Sequence, residues 1–186
     1  LVEGGAAKSA RIKVGEKVTC HVDYARRRKV APNHTMTHVL NFALREVLGE
    51  NVAQRGSLVN EEKLRFDFSH GGAMTVEEME RVEQIVQGVI ERKLPVRSQV
   101  VGLEAAKGIN GLRAVFGEVY PDPVRVIAVG EEVETLLASP EKEAWAKLSV
   151  EFCGGTHVRN TEEAQSFVLV EETAVAKGVR RVSGVT

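Results

Sequence analysis

Two short stretches dominate the expected fold of this chain: Asn33-His-Thr-Met-Thr-His38 and Cys153-Gly-Gly-Thr-His157. In a helix, side chains four residues apart lie on one face, so His34 and His38 can offer ring nitrogens to one point. Cys153 and His157 have the same separation. Three imidazoles and a thiolate form the donor set that zinc prefers. The fold is therefore expected to bring the two stretches together around a zinc ion.

A pair of histidines four residues apart is weak evidence when it stands alone, because such pairs often lie on helix surfaces. The sequence contains five histidines and two cysteines, and three of the histidines and one of the cysteines fall into the two matched pairs. Glycines tolerate backbone angles that other residues avoid, so Gly154 and Gly155 can turn the second pair around one ion. Their backbone N–H groups are also candidate donors to an oxyanion, a hypothesis based only on their place between two ligands.

Composition limits the partners of this 186-residue chain. A net charge of −1 argues against binding of nucleic acid through the overall charge of the chain. Contact with RNA must then come from local basic patches, such as the run Arg26–Lys29 or Lys177 with Arg180 and Arg181. For each patch taken alone, a solvated face is the simpler interpretation.

Cysteine content and hydropathy indicate the compartment. Cys20 and Cys153 cannot build a disulfide framework, and a thiol in a metal site must stay reduced. We therefore expect an intracellular protein, cytoplasmic in the first place, with a mitochondrion or plastid as alternatives. No apolar run is long enough to span a bilayer, which predicts no membrane association. The chain begins at Leu1, which suggests a piece of a longer protein.

The hydrophobic pattern predicts an α+β fold, a mostly antiparallel sheet packed with two long helices. One helix is expected to start with Asn33 as its N-cap and end at Gly49, and the other to start at a capping box at Thr75. Residues 1–30 read as a small β remnant of a preceding module, and residues 31–186 as one domain. Residues 139–147 are predicted to be a surface loop, and residues 103–116 remain unassigned. Strands are predicted at 52–59, 64–68, 96–101, 124–129, 148–152, 167–170 and 179–185.

Five motifs together resemble the editing domain of alanyl-tRNA synthetase, from about Val18 to the C-terminus. They are His34-Thr-Met-Thr-His38, Gln54-Arg-Gly-Ser-Leu-Val59, Leu64-Arg-Phe-Asp-Phe68, Cys153-Gly-Gly-Thr-His157 and Gly178-Val-Arg-Arg181. The resemblance implies hydrolysis of tRNA(Ala) wrongly charged with serine or glycine. It implies that His34, His38, Cys153 and His157 hold zinc, and that Gln54 contacts the substrate. It also implies two partners, the acceptor end of tRNA(Ala) and the aminoacylation and C-terminal domains of the synthetase. Met36 stands where the family usually has a small residue, which predicts a narrowed pocket.

Substrate choice requires a polar group in the pocket. A site that prefers serine over alanine needs a partner for the serine hydroxyl, and Thr35 and Thr37 are candidates beside Gln54. Each threonine has an ordinary alternative, a hydrogen bond back to a helix carbonyl. Four protein ligands leave zinc no open tetrahedral position, so the ion must either expand its shell or act by positioning the substrate.

Two other functions fit the same residues. One is a structural-zinc tRNA-binding module without turnover. The other is the editing domain of threonyl-tRNA synthetase, which shares the four metal-binding positions. The Gly154-Gly155-Thr156 sequence and the Gln54 motif favour the alanyl branch.

Overall fold

A computed structural model describes residues 12–115 and 117–186 of the chain, and its helices and antiparallel strands confirm the predicted α+β class. The helices are α1 (Tyr24–Leu48), α2 (Val76–Glu91), α3 (Leu103–Lys107) and α4 (Val133–Ala138), with short 3₁₀ helices at Glu143–Lys147 and Thr161–Ala164. The strands are β1 (Gln54–Val59), β2 (Leu64–Ser69), β3 (Val96–Val101), β4 (Val124–Val129), β5 (Ser149–Phe152), β6 (Val168–Ala176) and β7 (Val179–Val185).

The strands form two sheets where the sequence suggested one. The first has the order β1-β2-β7-β6 and the second the order β3-β4-β5, and all neighbouring strands are antiparallel. Strand β5 is the edge of the second sheet, and the chain leaves it directly into Cys153. The Cys153 N–H donates to the carbonyl of Arg125 on β4, which extends the hydrogen bonding between the two strands as far as Cys153.

Helix α1 starts ten residues earlier than predicted, at Tyr24. The Asp23 side chain accepts a hydrogen bond from the Arg26 N–H and caps the helix, so the expected N-cap at Asn33 is wrong. Pro32 lies inside the helix, where its missing N–H removes only one backbone bond. Buried Asn33 instead ties the helix to the β1–β2 turn, because its Nδ2 donates to the Asn60 carbonyl at 3.0 Å.

The predicted β remnant is not found where the structure describes it. Residues 12–23 contain no strand, and the rest of the predicted remnant, residues 1–11, lies outside the described residues. Exposed Val18 and Val22 show that this segment lacks a buried face against which a strand could pack. Helix α1 also crosses the predicted boundary between residues 30 and 31. The division into two domains stays a prediction.

Two apolar cores hold the elements together. The first joins α1 and α2 to the four-stranded sheet, and β2 contributes the inward side chains predicted from its alternation, Leu64, Phe66 and Phe68. The second lies on the other side of the three-stranded sheet. Strand β4 serves both, because Ile127 belongs to the first core and Val126 to the second. No helix in the described part of the chain is long and apolar enough to cross a membrane.

The segment 139–147 is largely exposed, as predicted, but it is not a loop throughout. It contains a 3₁₀ helix whose Trp145 is buried in the second core and donates from Nε1 to the Ser139 carbonyl at 2.7 Å. Close packing requires glycine opposite this helix, since a Cβ on Gly111 would lie 2.6 Å from the Cα of Ala146. The charged residues around Trp145 are typical of an exposed segment, so the sequence did not predict that this tryptophan is buried.

Candidate metal centre

The four predicted metal ligands meet in space. His34 and His38 lie on one face of α1, and Cys153 and His157 lie in the loop that follows β5. One potential ligand atom from each residue lies within 4.8 Å of every other. The imidazole rings are also close, with centroids of His34 and His157 4.3 Å apart. The helical spacing and the glycine turn therefore converge on one point, as the sequence predicts.

Hydrogen bonds fix which nitrogen two of the histidines present. The His34 Nδ1 lies 3.1 Å from the Thr156 carbonyl, which can only accept, so this nitrogen carries the hydrogen. The His38 Nδ1 contacts the buried Glu151 carboxylate, which is also an acceptor. In their neutral forms both rings consequently have their lone pair on Nε2, and the His34 Nε2 lies 3.5 Å from the Cys153 sulfur.

The third histidine is oriented by Thr35. The Thr35 hydroxyl donates its single hydrogen to the Ala31 carbonyl at 3.1 Å, so it accepts from the His157 Nδ1 at 3.2 Å. The Val158 N–H also donates to this hydroxyl. His157 is thereby held with its lone pair on Nε2, like the other two rings.

The remaining nitrogens fit a bound cation. The Nε2 atoms of His38 and His157 are buried and have no hydrogen-bond partner among the described residues. Buried polar atoms without a partner are costly, and a metal ion would satisfy both. Three neutral imidazoles and one thiolate are typical of zinc sites. The residues present thus form a cluster able to bind a metal.

The protonation of the cluster also suits a cation. Burial raises the pKa of the Cys153 thiol, but the neighbouring imidazoles of His157, His34 and His38 outweigh burial and lower it to about 3. Burial lowers the pKa of His157 to about 4, which keeps that ring neutral at pH 7. Burial opposes charge on His38 as well, yet Glu151 raises its pKa to about 10. Positive charge at the centre of the cluster is therefore favoured, and a metal ion can supply it in place of a proton.

A cavity of about 470 Å³ opens beside the cluster of potential metal ligands. It has an apolar wall that includes Val100, Val124 and Phe152, and polar groups that include Thr37, Gln54 and Ser57. The Gln54 Nε2 donates to the Ser57 hydroxyl at 3.2 Å. A cavity that combines an apolar wall with convergent polar groups is typical of a site for a small ligand.

The predicted substrate residues separate in the structure. Thr37 and Gln54 line the cavity, and the Thr37 hydroxyl donates to the Asn33 carbonyl, so it can only accept from a ligand. Thr35 does not line the cavity, and its buried hydroxyl is engaged with three protein groups. Met36 is fully buried in the first core, so the predicted narrowing of the pocket is wrong.

The two oxyanion candidates separate as well. Gly154 lines the cavity. The Gly155 N–H donates instead to the Cys153 sulfur at 3.4 Å, and a Cβ on Gly155 would lie 2.2 Å from the His34 ring. The role of Gly154 stays a prediction, whereas Gly155 has a steric role beside His34.

Sequence reasoning missed two residues that support the centre. Glu151 lies two residues before Cys153, and strand alternation puts both side chains on one face, a signal that was available in the sequence. Arg125 donates to the carbonyls of Cys153 and Gly155, at 3.2 and 2.5 Å, and thereby fixes the ligand loop. No local pattern identified Arg125, because its partners lie almost thirty residues away.

Arg180 and Arg181, the candidate nucleic-acid contacts, both face carboxylates. Arg180 forms two hydrogen bonds with Glu172, and Arg181 forms two with Asp67, at 2.7 and 2.8 Å. Both pairs link β7 to a neighbouring strand. These contacts assign both arginines a structural role, and binding of nucleic acid by them stays a prediction.

Replacing Asp67 with asparagine is expected to lower the free energy of unfolding by about 1–2 kcal/mol at pH 7. The hydrogen bond from Arg181 lowers the pKa of the Asp67 carboxyl. The stabilisation is therefore present above the ordinary unfolded pKa of about 3.9 and is lost as the pH falls through the lower folded value. Urea unfolding at pH 7 and at about pH 3 measures both effects.

The control for this change is Glu104→Gln, which removes the exposed pair with Lys107 and should leave the urea midpoint unchanged. Equal midpoints for the Asp67 variant and the unsubstituted chain at pH 7 would contradict a structural role for the Arg181 pair.

The sequence of the chain is similar to those of tRNA synthetases. Residues 124–183 match the family described as the threonyl and alanyl tRNA synthetase second additional domain. The chain is 51% identical over 182 residues to the mitochondrial alanine–tRNA ligase of Saccharomyces cerevisiae, covering 98% of this chain and 18% of that protein. It is 51% identical over 175 residues to the cytoplasmic ligase of Dictyostelium discoideum, covering 94% and 18%. It is 50% identical over 186 residues to the alanine–tRNA ligase of Schizosaccharomyces pombe, covering 100% and 19%. The chain thus spans about a fifth of these relatives.

Proposed function

Because the chain belongs to the alanyl-tRNA synthetase family as its editing-type domain, we propose that it hydrolyses seryl-tRNA(Ala) and glycyl-tRNA(Ala) with the help of zinc. The proposed ligands are His34, His38, Cys153 and His157. The similarity to ligases named for alanine favours this branch over the threonyl one. The ligases similar to it include cytoplasmic and mitochondrial ones, so a cytoplasmic location stays a prediction.

One observation carries the proposal. Three imidazole Nε2 atoms and one thiol sulfur converge at the wall of a cavity of about 470 Å³ that also holds Thr37 and Gln54. A purely structural zinc site needs no cavity beside it. Here His34, His38 and Cys153 themselves line the space that a substrate would occupy. This arrangement supports a site at which an ester reacts, in preference to a binding module without turnover.

The chemistry divides between the ion and the protein. When bound, zinc supplies a Lewis acid that can polarise a carbonyl or lower the pKa of water to about 7. The chain's own residues orient the substrate. Gly154 and Gln54 line the cavity where an ester and its amino acid would lie, and Gln54 is steadied by Ser57. We propose that Gly154 offers its N–H to the developing oxyanion, and that Gln54 contacts the aminoacyl group.

A second pocket is needed because the first one discriminates only weakly between similar amino acids. A pocket built for alanine cannot exclude the smaller glycine, and it rejects an added hydroxyl only about a hundredfold. The hydrolytic pocket must then recognise what the first one tolerates. Thr37 suits serine, because its hydrogen is committed to the Asn33 carbonyl and its oxygen can accept from the serine hydroxyl. We propose Thr37 as the serine-recognising residue and Thr35 as the residue that orients His157.

Replacing Thr37 with valine is expected to slow hydrolysis of seryl-tRNA(Ala) about 3- to 10-fold, the loss of one neutral hydrogen bond. Hydrolysis of glycyl-tRNA(Ala) should change less than twofold, since glycine has no hydroxyl. Thr35→Val is the matched comparison, because it should slow both substrates equally through His157. Single-turnover rates with radiolabelled aminoacyl-tRNAs measure the difference. Equal losses on both substrates in the Thr37 variant would exclude serine recognition by this residue.

The function itself is tested with the unsubstituted chain on four substrates. We expect hydrolysis of seryl- and glycyl-tRNA(Ala), slow hydrolysis of alanyl-tRNA(Ala), and slow hydrolysis of seryl-tRNA(Thr). Preference for seryl-tRNA(Thr) would instead assign the threonyl type. Zinc and tRNA binding with no hydrolysis of any substrate would assign the binding module. The acceptor end of tRNA(Ala) and the rest of the synthetase are the partners that this proposal implies.

A further inference from the structure

Glu151 is a buried carboxylate on the strand that leads into the metal cluster. It lies two residues before Cys153, so both side chains project from the same face of the strand. A buried carboxylate is costly unless its oxygens are hydrogen-bonded. The partners of this group therefore indicate why the protein tolerates it.

Both oxygens of the Glu151 carboxylate are used by α1. One accepts from the Asn41 Nδ2 at 2.8 Å, and the other accepts from the His38 Nδ1. Asn41 follows His38 by three residues, so the two donors lie on one face of the helix. The carboxylate thus joins β5 to α1 at one of the proposed metal ligands.

A buried guanidinium balances this charge from the other side. Arg113 lies in a segment that runs beside Glu151, and its charge attracts the carboxylate at longer range. It is held in place by a hydrogen bond from Nη1 to the Leu148 carbonyl at 3.0 Å and by the ring of Phe42, 5.2 Å from its centre. Glu151 therefore has a fixed position before any ligand binds.

We propose that Glu151 is a positioning residue for the metal: it holds His38 with its hydrogen on Nδ1 and directs the bare Nε2 at the ion. The inference rests on the proposed zinc site. The buried Nε2 of His38, which has no other partner among the described residues, is the second observation that supports it. Without an acceptor at Nδ1 the ring can rotate or carry its hydrogen on Nε2, and either change removes a metal ligand.

The test compares Glu151→Gln and Glu151→Ala by zinc affinity, measured through competition with a chromophoric chelator. Glutamine keeps an oxygen that can accept a hydrogen bond from His38. If the Asn41 side-chain amide flips, its Oδ1, which has no partner in the described structure, can accept a hydrogen bond from the glutamine NH₂ group. We expect a loss of about 3- to 10-fold for glutamine and about 10- to 100-fold for alanine. The absorption of the cobalt-loaded chain should change in the same order. Glu118→Gln is the control, because this carboxylate lines the same cavity without contacting a proposed ligand.

Three readouts keep the outcomes separate. Far-UV circular dichroism of the metal-free chains checks that each variant folds. A zinc affinity in Glu151→Ala within twofold of the unsubstituted chain would overturn the inference, whether or not the chain hydrolyses aminoacyl-tRNA. An unsubstituted chain that binds zinc but hydrolyses no substrate would overturn the proposed function, and the order of zinc affinities would still support the role of Glu151.

Discussion

Cys153→Ala is expected to lose zinc and hydrolysis together. Structural zinc sites bind with about 10–16 kcal/mol, so one of four ligands accounts for roughly 2.5–4 kcal/mol, or about 100- to 1000-fold in affinity. The lost ligand is also the thiolate, whose pKa the surrounding imidazoles lower to about 3. Zinc content after dialysis and deacylation of seryl-tRNA(Ala) under single-turnover conditions measure the two losses.

The chain supplies its own control for this substitution. Cys20 is the other cysteine of the sequence, and its thiol is exposed and outside the cluster. Cys20→Ala should retain the zinc content and the deacylation rate. Deacylation by the Cys153 variant at the unsubstituted rate after zinc removal would refute a metal-assisted reaction and leave the cavity residues to explain the activity.

The cluster of four potential metal ligands could be predicted from the sequence because each of its two pairs depends on local geometry. Residues four apart on a helix share a face whatever the helix packs against, and a glycine turn brings Cys153 and His157 together within five residues. The alternation of Leu64, Phe66 and Phe68 predicted the buried face of β2 for the same reason.

Features that depend on packing between distant parts of the chain could not be predicted from the sequence. The sequence predicts the wrong start for α1 because Pro32 and Asn33 resemble a helix start, although Asp23 caps the helix ten residues before Asn33. Thr35 and Thr37 have the same residue type, and both bond back to helix carbonyls, yet only Thr37 faces the cavity. Which one meets a substrate depends on where β5 and its loop lie. No local sequence pattern predicts the sheet arrangement that positions this strand.

Gly155→Ala is expected to lower zinc affinity at least about tenfold, while Gly154→Ala should leave it within about twofold. A Cβ on Gly155 would lie 2.2 Å from Cε1 and 2.8 Å from Nδ1 of His34, closer than any real contact, whereas nothing lies within 4 Å of a Cβ on Gly154.

The clash at Gly155 cannot be relieved by moving its own backbone without breaking other contacts. Its carbonyl accepts from Arg125 at 2.5 Å, and its N–H donates to the Cys153 sulfur. The His34 ring must move instead, and with it the Nε2 that would bind the proposed ion. We expect zinc affinity to fall at least about tenfold, as for loss of a group that orients a ligand, with the same chelator competition as the measurement. Equal zinc affinity for the two alanine variants would mean that His34 does not occupy this position in the metal-bound chain.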